Sequence, residues 1–285
     1  MPVMNPRPSE PAMATDTFTV ALVTRVFPTE EEWALLPATL REARSGGADM
    51  AVLPELPLNP WSPATREPRE DDAEEVDGPR QRVLAEAARE VGVAVMGGAI
   101  IRDPDSGARH NTALLYDVSG SCLARYRKVH LPAEEGFWET SHYESGPEPP
   151  TVVRGLPMAI GLQICSDVNR PTGSELLAAM GAEVVLAPRC TPLQSYERWK
   201  MILRANAVTG STYVLSANRP GPERGVPIGG ASLAVAPDGA VLLETGEGVG
   251  VVTLSREAVK RARADYPGYL ERFPDVYARG WEGLK

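Results

Sequence analysis

Histidine and cysteine are scarce in this chain, with three of each among 285 residues. The cysteines, Cys122, Cys165 and Cys190, are odd in number and widely spaced, which does not suit a disulfide framework. Such usage fits a reducing cytoplasm, the expected location. The histidines, His110, His130 and His142, form no H-E-x-x-H pair, so no metal site is expected. None of them stands where a Cys–His dyad would need it. No run approaches the roughly 18 apolar residues of a membrane span. The serine-hydrolase elbow G-x-S-x-G and the phosphate-binding G-x-x-x-x-G-K-[ST] are both missing. Gly246-Glu247-Gly248-Val249-Gly250 lacks the third glycine and the following helix of a dinucleotide loop. Basic residues are outnumbered, giving a formal net charge of −9. An acidic surface repels polyanions, so nucleic acid and anionic membranes are not expected as partners.

Hydrophobic residues make up 43% and charged residues 24%, enough for a sizeable core. Residues 1–16 are polar and rich in proline, and read as a disordered extension rather than a signal peptide or anchor. Residues 17–285 read as one α/β domain. Phe18–Val23 is a short apolar β run, and Trp33, Leu36, Leu40 and Ala43 recur at helical spacing. Pro37 predicts a kink there or two shorter helices. Gly46-Gly47 ends that segment and Met50–Leu53 is a second strand. This is a β-α-β unit, which implies neighbouring parallel strands.

Further elements follow in the same manner. A helix is expected through Val83–Val91 and a strand over Val91–Met96, with Gly97-Gly98 allowing close backbone approach. Thr112–Tyr116 and Cys122–Tyr126 read as a hairpin. Strands are expected over Pro157–Ile164, Glu183–Ala187 and Thr212–Ala217, and helices over Glu175–Met180 and Tyr196–Val208. Ala231–Ala236, Ala240–Leu243 and Val249–Leu254 read as a closing meander, with Ser255 capping a last helix. The acidic, proline-rich segment 61–78 reads as a solvated loop or as a lid leaving the Glu55 strand.

Three side chains at comparable strand ends can carry chemistry. Glu55 follows Ala51-Val52-Leu53-Pro54, at the sheet edge where α/β proteins build ligand sites. Lys128 lies in Tyr126-Arg127-Lys128-Val129-His130-Leu131-Pro132. Cys165 ends the run Met158–Ile164 and precedes Ser166-Asp167, a turn into a helix whose N-terminus is expected to lower the thiol pKa. Glu55 can take the thiol proton and return one to the leaving amine. Lys128 and the backbone N–H of Ser166 can stabilise a tetrahedral oxyanion. Cys122 and Cys190 read as structural thiols, with Cys190 after a strand end, where it can line the cleft without doing chemistry. His130 reads as ordering its loop, and Asp167 with Arg170 as either a structural pair or substrate contacts.

The order Leu53-Pro54-Glu55, Tyr126 to Pro132, Ile164-Cys165-Ser166-Asp167 closely resembles the nitrilase, or carbon–nitrogen hydrolase, superfamily. Gly47-Ala48-Asp49, Asn111-Thr112-Ala113, Trp199 with Ala205, Ala217-Asn218-Arg219 and Gly230-Ala231-Ser232 extend the resemblance over residues 18–280. It implies a four-layer αββα sandwich and a triad of Glu55, Lys128 and Cys165. It also implies a second, substrate-positioning glutamate, best matched by Glu139, with Glu134 and Glu135 as competitors. It further implies no cofactor or metal, and assembly as a homodimer or larger homo-oligomer. Many relatives carry Arg four residues after the cysteine and Glu seven after it, whereas this chain has Asn169 and Thr172, with Arg170 one place off. Asn169 and Arg170 therefore stand as substrate-positioning candidates. The expected reaction is cysteine-dependent hydrolysis of a linear amide or N-carbamoyl compound through a thioester. Nitrile hydrolysis, acyl transfer and a non-catalytic binding role are the alternatives; the nitrilase subgroup typically has Trp-Glu after the cysteine.

Overall fold

A computed structural model describes residues 16–284. The expected N-terminal extension lies outside the described residues except for Asp16, whose carbonyl accepts from Arg256 N–H at 2.9 Å. The first half of the chain supplies β1 (Thr17–Thr24), α1 (Glu30–Trp33), α2 (Leu36–Ser45) and β2 (Met50–Val52). These are followed by β3 (Ala73–Glu74), α3 (Pro79–Val91), β4 (Ala94–Arg102), β5 (Arg109–Tyr116) and β6 (Cys122–Arg127). The second half supplies β7 (Val152–Val153), β8 (Ile160–Leu162), α4 (Pro171–Ala179), β9 (Val184–Leu186), α5 (Tyr196–Gly210) and β10 (Tyr213–Ser216). It closes with β11 (Ser232–Val235), β12 (Val241–Thr245), β13 (Gly248–Ser255), α6 (Arg256–Ala264) and α7 (Pro274–Glu282).

Two sheets result. One runs β13-β1-β2-β4-β5-β6, with β3 also paired to β4, and the other runs β12-β11-β10-β9-β8-β7. In each, three central strands are parallel (β1, β2, β4 and β8, β9, β10) and the flanking pairs are antiparallel. Period-two alternation fixes the layers. Phe18, Val20 and Leu22 of β1, with Met50 and Val52 of β2, point into the layer shared with Ile160, Leu162, Val184 and Leu215 of the second sheet. Ala21, Val23, Ala51 and Leu53 face the other way, against Leu36 and Leu40 of α2 and Leu84 and Ala88 of α3. With α4 and α5 outside the second sheet, the architecture is the four-layer αββα sandwich.

Of the two outcomes expected around Pro37, two shorter helices form: α1 ends at Trp33, and Pro37 lies in the first turn of α2, where a proline lacks only an N–H that has no intrahelical acceptor. Several other local expectations change. The strand expected to stop at Met96 runs on to Arg102. Gly97 lies under Leu84, whose Cδ2 would be 2.8 Å from an added Cβ, so this glycine is what lets α3 pack there. The C-terminal meander is split: β11 and β12 pair with each other, whereas β13 crosses to pair with β1. Ser255 begins α6 without a side-chain cap. α4 starts at Pro171, and α7 was not anticipated. All its residues are exposed, among them Val276, Tyr277 and Trp281.

Segment 61–78 is neither solvated throughout nor a lid. Trp61, Asp72 and Glu74 are buried, and β3 is hydrogen-bonded to β4. Trp61 gives Nε1–H to Gly136 O at 2.8 Å, and Asn59 Nδ2 donates to Asp72 O at 2.9 Å. Internal polar partners hold the acidic stretch down.

Candidate active site

β2, β6 and β8 end on one side of the sandwich and deliver Glu55, Lys128 and Cys165 together. Lys128 is fully buried, and its Nζ donates to Glu55 Oε1 at 2.8 Å and to Glu139 Oε1 and Oε2 at 2.6 and 2.7 Å. Glu139 is therefore the second carboxylate of the cluster, while Glu134 and Glu135 are exposed. Asn111 on β5 donates Nδ2–H to the same Glu55 Oε1 at 2.8 Å. Glu55 Oε2 is buried and has no partner among the described residues.

Electrostatics follow from one ammonium set between two carboxylates in a buried site. Burial alone lowers the Lys128 pKa, but Glu139 and Glu55 overcome it and hold the group well above its ordinary value. Burial pushes Glu139 up to about 8, with the Glu55 charge adding to it against the opposing effect of Lys128. Tyr143, whose buried hydroxyl also lacks a protein partner, is pushed up by burial and by both glutamates.

Cys165 sits at φ 46°, a left-handed conformation that costs a non-glycine residue roughly 1–2 kcal/mol. Its N–H donates to Pro188 O at 2.9 Å, and its Sγ lies 3.6 Å from Cys190 O as a donor. The expected lowering of its pKa is overturned. Burial, followed by the Glu55 charge, drives the thiol well above its ordinary value, and Lys128 offsets this only in part. Residues 165–169 form a single 3-10 turn, and α4 starts only at Pro171, so no long helix dipole acts on the sulfur.

The elbow is fixed by Asp167. Its Oδ1 accepts from Val129 N, His130 N and His130 Nδ1 at 3.2, 2.9 and 2.9 Å. Its Oδ2 accepts from Tyr126 Oη and Ile164 N at 2.9 and 3.1 Å. One buried carboxylate thus ties the Lys128 loop to the Cys165 turn, with His130 in the ordering role expected of it. The proposed side-chain pairing with Arg170 is not formed. Arg170 is exposed, gives only its backbone N–H to Asp167 O at 3.1 Å, and does not line the cleft. Asp167→Asn would set an NH2 group against buried donors, each costing about 1–3 kcal/mol when unmet. We expect urea denaturation to show a loss of at least about 2 kcal/mol. A loss under about 0.5 kcal/mol, the scale of an ordinary surface change, would contradict this role.

The cleft over Cys165 has a volume of about 340 Å³. Ser166, Asn169, Glu139, Cys190, Thr191, Phe137 and Trp199 are among its walls. Ser166 Oγ donates to His130 O. Arg219 had no role assigned from sequence. It is fully buried and donates to Glu55 O at 3.0 Å, Leu56 O at 2.7 Å and Asn59 O at 3.1 Å, clamping the Glu55 loop from the end of β10. Asn111 and Arg219 lay within segments of the family resemblance, but neither has a local pattern that announces its contact.

A buried carboxylate–ammonium–carboxylate row behind a cleft thiol, at the strand ends of an αββα sandwich, defines a nitrilase-fold hydrolase. The chain belongs to the carbon-nitrogen hydrolase family, whose profile matches residues 20–264. It is 31% identical over 232 residues to a hydrolase of Pseudomonas protegens, covering 81% of this chain and 80% of that protein. It is 28% identical over 243 residues to the 2-oxoglutaramate amidase of Paenarthrobacter nicotinovorans, covering 82% and 81%. Among solved structures it resembles a variant of the amidase from Nesterenkonia sp. AN1, at 26% identity and TM-score 0.75 over 95% of this chain and 98% of that one. That structure shows covalent addition of the acetamide moiety of fluoroacetamide at the active site cysteine. The protein is thus a hydrolase of amide-type C–N bonds.

Proposed function

We propose that the protein is a cysteine-dependent amidase acting on a linear amide or N-carbamoyl compound, with Cys165 as nucleophile. The observation that carries this reading is the division of labour at Glu55. Oε1 is occupied by Lys128 and Asn111, whereas buried Oε2 is left without a partner, available to take a proton. A thiol held protonated by burial needs such a base.

Glu55 removes the Sγ proton as sulfur attacks the carbonyl carbon. Charge collects on the carbonyl oxygen, and Lys128 offsets it. The C–N bond breaks, Glu55 returns the proton to nitrogen, and ammonia or an amine leaves a thioester on Cys165. Water, activated by Glu55, then attacks the thioester, giving the acid and restoring the thiol. Glu139 holds the Lys128 ammonium in place and lines the cleft. Ser166 and Asn169 serve as positioning groups; no cofactor enters. The exposed apolar side chains of the C-terminal segment, including Tyr266, Phe273 and Trp281, support assembly as a homo-oligomer.

Acid-quenched mass spectrometry during turnover of short amides tests the reading. We expect ammonia release together with an acyl adduct that maps to Cys165. Turnover without any Cys165 adduct, or with the adduct on Cys190, would overturn the assignment.

A further inference from the structure

Two of the three free cysteines lie in one cleft, and the amidase reading uses only one of them. Cys165 and Cys190 both line it, whereas Cys122 stands at the start of β6 and does not. The pair comes from neighbouring strands. β8 and β9 run parallel with Leu162 opposite Leu186, so the chain leaves both on the same edge and reaches Cys165 three residues later and Cys190 four. Cys165 N donates to Pro188 O at 2.9 Å, and Cys165 Sγ lies 3.6 Å from Cys190 O. The sulfur of the nucleophile therefore touches the peptide unit of the second cysteine.

Cys190 is buried beside Leu56, Phe137 and Ile228, and its Sγ makes no hydrogen bond among the described residues. Neither a disulfide nor a group of metal ligands engages it there. A reactive thiol that meets a peroxide takes up one oxygen and becomes a sulfenic acid. Left alone, it goes on to sulfinic and sulfonic acids, which thiol reductants do not reverse. A second thiol beside it condenses with the sulfenic acid first.

From this we infer that Cys190 is a resolving thiol for Cys165, and that a peroxide closes the cleft with a Cys165–Cys190 disulfide that silences the protein reversibly. The inference rests on Cys165 being the reactive thiol of the proposed amidase. In the first step Glu55 takes the Sγ proton, sulfur attacks one peroxide oxygen, and the O–O bond breaks. The oxygen that leaves takes up a proton, giving Cys165–SOH and an alcohol or water. In the second step Cys190 Sγ attacks the sulfenic sulfur, the S–O bond breaks, and hydroxide leaves with the Cys190 proton as water. Two thiols are oxidised to one disulfide, and the peroxide is reduced by two electrons. A disulfide sets its Cβ atoms about 3.5–4.5 Å apart. Closure thus turns both side chains about their Cα–Cβ bonds and shifts the 3-10 turn at 165–169 that carries Cys165.

Hydrogen peroxide is the probe. The reduced full-length chain and its Cys190→Ala variant are treated with rising doses, the remaining thiols are alkylated, and unreduced digests are read by mass spectrometry. Amide hydrolysis is assayed before and after dithiothreitol. In wild-type protein we expect a cross-linked peptide pair joining Cys165 to Cys190, with Cys122 still alkylated. Activity lost to peroxide is expected to return with dithiothreitol. In Cys190→Ala, measured against its own untreated activity, the recoverable part is expected to fall at least about fivefold, with Cys165 found as sulfinic or sulfonic acid. Four results would each overturn the inference: over-oxidised Cys165 in wild type without that cross-link, a link to Cys122 or to another chain, no peroxide reaction at Cys165, or equal recovery in the variant. If the variant does not fold, the wild-type digest decides alone. Absence of turnover on every amide would overturn the amidase reading instead, and the digest still decides the disulfide because it reads mass.

Discussion

Cys165→Ala protein is expected to lose at least about four orders of magnitude in kcat while keeping its fold, as removal of a covalent nucleophile does in other hydrolases. The two halves of this expectation have separate causes. Loss of activity follows because the cleft offers only one other thiol, Cys190, whose side chain packs among Leu56, Phe137 and Ile228 and is pushed up by burial. Retention of the fold follows because, among the described residues, the only polar contact made by Sγ is a weak one to Cys190 O. Alanine keeps the backbone N–H bond to Pro188 and tolerates φ 46° no worse than cysteine. Stability should change by no more than about 1 kcal/mol. Steady-state assays and urea denaturation on the same preparation check both. Residual activity within tenfold of wild type would remove Cys165 from the mechanism.

Lys128→Met should be as damaging to activity and far more so to stability. Its ammonium is the cation shared by Glu55 and Glu139. Removing one partner of a buried ionic cluster typically costs about 3–5 kcal/mol, because charge is left without compensation. Here two carboxylates would be stranded, and Glu139 already stands at about 8 with the lysine present. In the variant these acids resist ionising in the folded state. A folded pKa raised above the unfolded value favours folding at low pH, and that advantage is lost as pH rises through it. The stability gap to wild type should accordingly be narrow at pH 6 and wide at pH 9, on either side of the Glu139 value. Denaturation curves at both pH values test this; a gap independent of pH would show that the carboxylates are not what the lysine compensates.

Much of the candidate site is legible because groups at strand ends carry local sequence cues. Glu55, Lys128 and Cys165 each follow an apolar run that could be read as a strand, and their order resembles one family. What was not legible depends on pairing across the fold. The thiol pKa was misjudged because the sequence shows the turn after Cys165 but not the burial around it. Arg170 looks like a site residue because it is near Cys165 in the chain, yet it is exposed and outside the cleft, whereas Trp199 lines the cleft from 34 positions further on. The Asp167 hub collects donors from Tyr126, Val129 and His130, and no spacing rule announces such a convergence. The C-terminal strands were placed in one meander because adjacent β runs with tight turns usually pair. β13 crosses instead because β1 would otherwise present an unpaired edge.

Glu55, Asn111 and Lys128 belong to one sheet, whereas Cys165 belongs to the other. The apolar layer between the sheets, with the bonds of Asp167 and Arg219 and the Thr24–Ser232 contact among those that tie the sheets together, sets the gap from Glu55 to Cys165. On the mechanism we propose, sheet separation is therefore a catalytic dimension of this protein. A methyl group added or removed in the layer between the sheets, at Met50 or Ile160, is then expected to change the length of the proton's path.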